Sequence, residues 1–130
     1  MPDFIAKLRA IPRHLEILGD GSQTKSYLHI TDCVSAINLA ASLSKGVSIF
    51  NVGTEDQIDV RSIADIVCEE MRLRPRYHFT GGVNGRGWQG DVKNMLLGVG
   101  KLKSLGWKPK FGSAEAVRLT AKQIISFTPQ

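Results

Sequence analysis

The sequence predicts an α/β chain of about five amphipathic helices with short strands between them. Three observations predict it. Hydrophobic periodicity switches between helical and extended spacing along the 130 residues, glycine and proline punctuate the switches, and no internal repeat or low-complexity linker interrupts them. With 42% hydrophobic and 22% charged residues the composition is that of a folded domain, so residues 1–130 are expected to form a single unit.

Phe4, Ile5 and Leu8 lie at helical spacing, and Pro12 predicts the end of that first helix. Leu15 to Leu18 is a short apolar run closed by the turn-forming Gly19-Asp20-Gly21. Ser26 to Ile30 reads as extended. Thr31-Asp32 then supplies candidate N-caps for a helix carrying Cys33, Ile37, Ala40 and Ala41 as far as Leu43. Val47 to Val52 is β-branched and aromatic enough for a buried strand ended by Gly53. A second long helix is expected from Asp59, with Ile63, Ile66, Val67 and Met71 on one face and Pro75 as its stop. Tyr77-His78-Phe79 predicts a strand that leads into a glycine-rich stretch. A short helix around Lys101 to Leu105 ends at Gly106 and Pro109, and Ser113 is the expected cap of a last helix through Ala116, Leu119, Ile124 and Phe127. So many amphipathic helices exceed what three or four short strands can cover, so a packing partner is expected.

No run approaches the ~18 apolar residues of a membrane span. The N-terminal segment has no apolar core of a signal peptide, which predicts a cytoplasmic setting. Cys33 and Cys68 have no neighbours at metal-ligand spacing and are expected to be buried thiols. The net charge of +5 is unevenly spread. Residues 1–71 hold 6 basic and 10 acidic side chains, and residues 72–130 hold 11 and 2, so the second half should attract anions.

Gly85-Arg86-Gly87-Trp88-Gln89-Gly90 has the letters of the dinucleotide fingerprint G-x-G-x-x-G but lacks its context. A true fingerprint opens a helix, whose N-terminus meets the pyrophosphate, and has an acid about 20 residues further on. Here a poor helix former follows, and no acid appears after Asp91 until Glu115. There is no G-x-S-x-G, H-E-x-x-H or Walker loop, and neither Tyr27 nor Tyr77 has a lysine four residues on to make a Tyr-x-x-x-Lys pair. His14, His29 and His78 each stand without an orienting carboxylate and read as structural or surface residues.

The stretch Gly19-Asp20-Gly21-Ser22-Gln23-Thr24-Lys25-Ser26-Tyr27-Leu28-His29-Ile30-Thr31-Asp32 resembles the "GDGxQxRDYxHVxD" segment of the extended short-chain dehydrogenases, the NAD-dependent nucleotide-sugar epimerases and dehydratases. In the same order, Phe50-Asn51-Val52-Gly53 resembles "YNxG" and Ile58 to Val67 resembles a following helix start. Gly90-Asp91-Val92 with Leu105-Gly106-Trp107-Lys108-Pro109 resembles "GDV…LGWxP". The similarity is to the UDP-glucose 4-epimerase-like C-terminal portion, which implies an α/β substrate-binding part without its Rossmann half. NAD belongs to the full-length family, so no cofactor is expected in this chain and, alone, it is expected to be inactive.

The resemblance implies a UDP-sugar site. Lys25 stands where the family has a phosphate-binding arginine, keeping the charge but losing the bidentate fork. Tyr27 is implied near the phosphates and ribose, Ile58 against the nucleotide, Arg86 as the second phosphate cation and Asp91 as acceptor from the ribose hydroxyls. The implied partners are a UDP-sugar, together with the dinucleotide half or a second copy against the exposed helix faces; no membrane is implied. The competing reading is a non-catalytic basic module in which Trp88, Trp107 and Phe111, set among Lys and Arg, contact nucleic acid or a protein. Nucleic acid is the less favoured partner.

Overall fold

The computed structural model describes residues 1–43 and 46–127. Five helices are seen among them: α1 (Pro2–Ala10), α2 (Ile30–Leu43), α3 (Val60–Met71), α4 (Gly100–Ser104) and α5 (Ser113–Phe127). β1 (His14–Ile17) and β4 (Arg76–Phe79) pair in parallel, Leu15 beside Tyr77 and Ile17 beside Phe79. A second sheet is centred on β2 (Thr24–Lys25), with β3 (Ile58–Asp59) antiparallel on one side and β5 (Asn94–Met95) parallel on the other. The chain is α/β with short strands, as predicted.

The main core joins Phe4, Ile5 and Leu8 of α1, Leu15 and Ile17 of β1, the buried face of α3, and Val117 and Ala121 of α5. Period-2 burial along β1 puts Leu15 and Ile17 inward and His14 and Glu16 outward. α3 starts at the predicted place because Asp59 is its N-cap, its carboxylate accepting from Ser62 N at 2.7 Å and Ser62 Oγ at 2.8 Å. It ends earlier than Pro75 predicts: Arg72 adopts the left-handed conformation (φ 55°), and its N–H bonds back to the last turn. A smaller core packs Ala36 of α2 against Leu102 of α4 and Trp107.

Four expectations need correction. The extended run does not extend to Ile30. The ladder stops at Lys25, and α2 already begins at Ile30, so Thr31 and Asp32 lie inside its first turn. The buried Asp32 is occupied elsewhere, accepting from Lys110 N and Phe111 N, each at 3.0 Å. Val47 to Val52 forms no strand, because no described strand lies beside it; Val47 is 99% and Ile49 82% exposed. Ser113 is not the side-chain cap of α5. Its N–H donates to Asp56 Oδ2 at 2.8 Å, so a carboxylate from a distant loop caps the helix. Cys68 is buried as expected, but Cys33 is only half-buried.

Ser113 is itself fully buried, and its Oγ meets Asp56 Oδ1 at 2.9 Å and Thr54 Oγ1 at 3.0 Å while accepting from Tyr27 N at 2.9 Å. Ser113→Ala leaves these partners unsatisfied and is expected to cost about 1–3 kcal/mol, read from urea unfolding; an unchanged midpoint would show the hydroxyl is dispensable.

Burial opposes ionisation of Asp59, but the bonds from Ser62 outweigh it and hold the carboxyl below the usual range; Asp56, bonded by Thr54 and Ser113, behaves alike. Carboxyls depressed on folding contribute stability above their unfolded value of about 3.9, and that stability is lost as pH falls through the folded values. Asp59→Asn keeps a capping side chain without the charge. Its unfolding free energy should fall less steeply than wild type below about pH 4; parallel pH curves would contradict this.

Candidate functional site

The short second sheet assembles the site. Lys25 pairs in register with Ile58 across β2–β3, so the expected phosphate cation and the apolar nucleotide contact are neighbours. Lys25 Nζ reaches Asp91 Oδ1 at 2.9 Å, an ion pair between groups 66 residues apart in the chain. The Asp91 side chain is only 9% exposed, whereas that of Lys25 remains 35% exposed and open to an incoming anion. Gly87 N donates to the other carboxylate oxygen at 3.3 Å. The Lys25 bond is the main influence holding Asp91 below the usual carboxylate range; Gly87 N and the Gln23 side chain add to it, and burial opposes it.

Arg86 lies on the same glycine-rich loop, one residue before Gly87. Its side chain is exposed, and its backbone bridges to Val83. It does not reach the Lys25–Asp91 pair, and among the described residues no ion pair engages it. Tyr27 is half-buried and packs on the main core, while Ile58 is itself a core residue. Lys25, Ile58 and Asp91 are therefore brought together, with Arg86 and Tyr27 at the margins.

Sequence reasoning missed two polar residues here. Gln23 is 3% exposed and donates from Nε2 to Leu18 O at 3.1 Å. Its signal was its place in the "GDGxQ" segment, where only the lysine and tyrosine were given roles. Asp20 bonds Ser22 N at 2.8 Å and forms a 3.8 Å ion pair with Lys93, steadying the turn before β2.

The glycine-rich loop does not suit a dinucleotide. No helix opens within residues 85–90; an isolated bridge and a turn lead instead to β5. A pyrophosphate there would meet no helix N-terminus, so NAD chemistry cannot be assigned to these residues. A separate cavity of about 600 Å³ lies between Gly53–Asp56 and Trp107–Gly112, and none of the five expected residues lines it. Among the described residues no cluster of His, Cys, Asp or Glu suits a metal ion, and no helix is long and apolar enough to cross a membrane.

Comparison with known proteins places the fold. A solved UDP-galactose 4-epimerase superimposes with a TM-score of 0.79 at 40% identity, covering 95% of this chain and 39% of that one. The chain belongs to the nucleotide-sugar epimerase and dehydratase family. A putative UDP-glucose 4-epimerase of Methanocaldococcus jannaschii is 31% identical over 102 residues, 78% of this chain and 31% of its own length. The solved MoeE5, in complex with UDP-glucose and NAD, aligns at 30% identity with a TM-score of 0.74, over 98% of this chain and 44% of that one. No protein-family model matches. The chain thus spans about a third of its curated relatives, as a C-terminal portion of such an epimerase would.

Proposed function

We propose that this chain is the nucleotide-sugar-binding portion of a UDP-glucose 4-epimerase-like enzyme, working with a dinucleotide-binding half that holds NAD and the proton-transfer groups. One observation carries the reading. A lysine and an aspartate from distant segments meet beside Ile58, at the positions where the family resemblance puts the contacts to phosphate, ribose and nucleotide. The Lys25 side chain keeps 35% of its surface exposed, so its ammonium can meet a diphosphate while Asp91 stays in place. Asp91 stays bonded to Gly87 and, as an acceptor only, suits ribose hydroxyls. Arg86, exposed on the loop that carries Gly87, is the proposed second cation, although it does not reach the Lys25–Asp91 pair in this structure. In the complete enzyme, NAD held by the dinucleotide half would supply hydride-transfer chemistry to the sugar. This chain contributes the grip on UDP, and alone it is expected neither to retain NAD nor to interconvert UDP-hexoses.

α2 supports the need for a second part. Ile30, Val34 and Ile37, at i, i+4 and i+7, form an exposed apolar stripe, and Val47 and Ile49 add to the uncovered apolar surface. The proposed occupant in the complete enzyme is the dinucleotide half; in the isolated chain a second copy takes its place.

Fused to a dinucleotide half, the chain is expected to bind UDP in calorimetry. Lys25→Ala and Arg86→Ala should each weaken binding roughly ten- to a hundredfold, the loss of one charged hydrogen bond of about 1.5–3 kcal/mol, while Lys108→Ala should change little. Equal affinities for all three variants would remove the site assignment. Isolated, the chain should be a dimer or larger by light scattering, and Ile37→Glu should shift it toward monomer; a monodisperse wild-type monomer with no dye-detectable apolar surface argues against an uncovered face.

A further inference from the structure

We propose that Trp88 is a stacking platform of this site, its indole taking the base of the bound nucleotide against its open face. The proposal deepens the nucleotide-sugar reading and rests on it. Trp88 is 63% exposed, and among the described residues neither another ring nor a cation stacks on it. Of the three aromatics set among Lys and Arg in the second half of the chain, it alone is exposed. Trp107 is buried and donates from Nε1 to Ser35 Oγ at 3.0 Å. Phe111 meets the His29 ring edge-on at 5.3 Å and has the Lys110 ammonium 5.4 Å from its own ring centre. An indole left in water is apolar area still to be covered, and the fold of this chain does not cover it.

The turn that carries the indole also carries Asp91. Asp91 N donates to Trp88 O at 3.1 Å and Gly87 N donates to Asp91 Oδ2 at 3.3 Å, so residues 87–91 close on themselves. Gly90 makes the seat for the ring. Its φ of 95° is a conformation that side chains rarely adopt, and a Cβ there would crowd Trp88 Cζ3 at 3.1 Å. The six-membered ring thus packs back over Gly90, beside the residue proposed to accept from the ribose. A base is joined to that ribose, and Arg86, the proposed second phosphate cation, lies two residues before the indole. A tryptophan has only two side-chain torsions to fix, so it gives a large flat contact at little entropic cost. Every base has a π-face, so stacking on Trp88 adds affinity without choosing among bases.

The test compares UDP with inorganic pyrophosphate, which keeps the phosphates and lacks the base, in the protein fused to a dinucleotide half. In calorimetry, Trp88→Ala should weaken UDP about tenfold or more and leave pyrophosphate within about twofold of wild type. Trp88→Phe, still flat, should recover most of the loss. In the wild-type fusion labelled with fluorotryptophan, the fluorine NMR signal of Trp88, assigned by its loss in Trp88→Phe, should move on adding UDP and stay still on adding pyrophosphate. UDP bound with an unmoved Trp88 signal overturns the proposal and leaves the nucleotide-sugar reading standing. Equal losses of both ligands in Trp88→Ala also overturn it, because the indole then only supports its loop. A signal already moved by fusion and afterwards blind to UDP makes the ring a contact with the dinucleotide half, and overturns it as well. If a variant does not fold, the wild-type signal decides. A wild-type fusion that binds neither ligand sinks the nucleotide-sugar reading, and the stacking role with it.

Discussion

The fold depends on one fully buried hydroxyl, Ser113 Oγ, which ties the exit of β2, the loop carrying Thr54 and Asp56, and the start of α5 to one another. Strands of two to four residues form too few ladder bonds to fix distant segments, so side chains take over that work. A buried hydroxyl is tolerated only when its bonds are made, and here donor and acceptors converge from three parts of the sequence. Asp32 does the same for the smaller core, where its carboxylate holds the Lys110 and Phe111 amides against the first turn of α2. Side-chain knots thus replace a larger sheet.

That economy decides where chemistry can sit. β2 is two residues long yet sits between two neighbours, and the chain before it is pinned by Arg61 N to Gly21 O and Val60 N to Gln23 O. Thr24 N bonds to Lys93 O on the opposite flank. Lys25 is therefore presented from a rigid position, and Asp91 arrives on a loop that the same contacts hold. A cation on a fixed strand beside an anchored carboxylate is pre-ordered for a ligand, which lowers the entropy lost on binding.

α3 was legible in the sequence because it presents an apolar stripe, Ile63, Ile66 and Val67, to a core that exists within the chain. The two-residue strands were not, since two residues carry no periodicity. Val47 to Val52 failed for the opposite reason: its β-branched pattern is real, but a strand needs a neighbour and none is described beside it. The helix cap supplied by Asp56 was invisible because it acts across 57 residues, where local capping rules do not reach. Within the site, Lys25 and Asp91 came from motif positions, and their meeting was anticipated only through the family resemblance. Gln23 went unread because a neutral side chain gives no charge signal.

The two cores divide the labour unequally. Lys25 and Gln23 hang from the main core through Ile58 and Val60, and that core is closed by α1, β1, α3 and α5. The smaller core buries little more than Ala36, Leu102 and Trp107, and α2 turns Ile30, Val34 and Ile37 outward from it. Cooperative units with fewer buried apolar contacts open at lower free energy, so α2 and its neighbours should be the first part to loosen. The site does not share that weakness, because none of its anchoring bonds passes through α2. Covering the apolar stripe would therefore stabilise α2 chiefly, while the arrangement of Lys25 and Asp91 already stands without it.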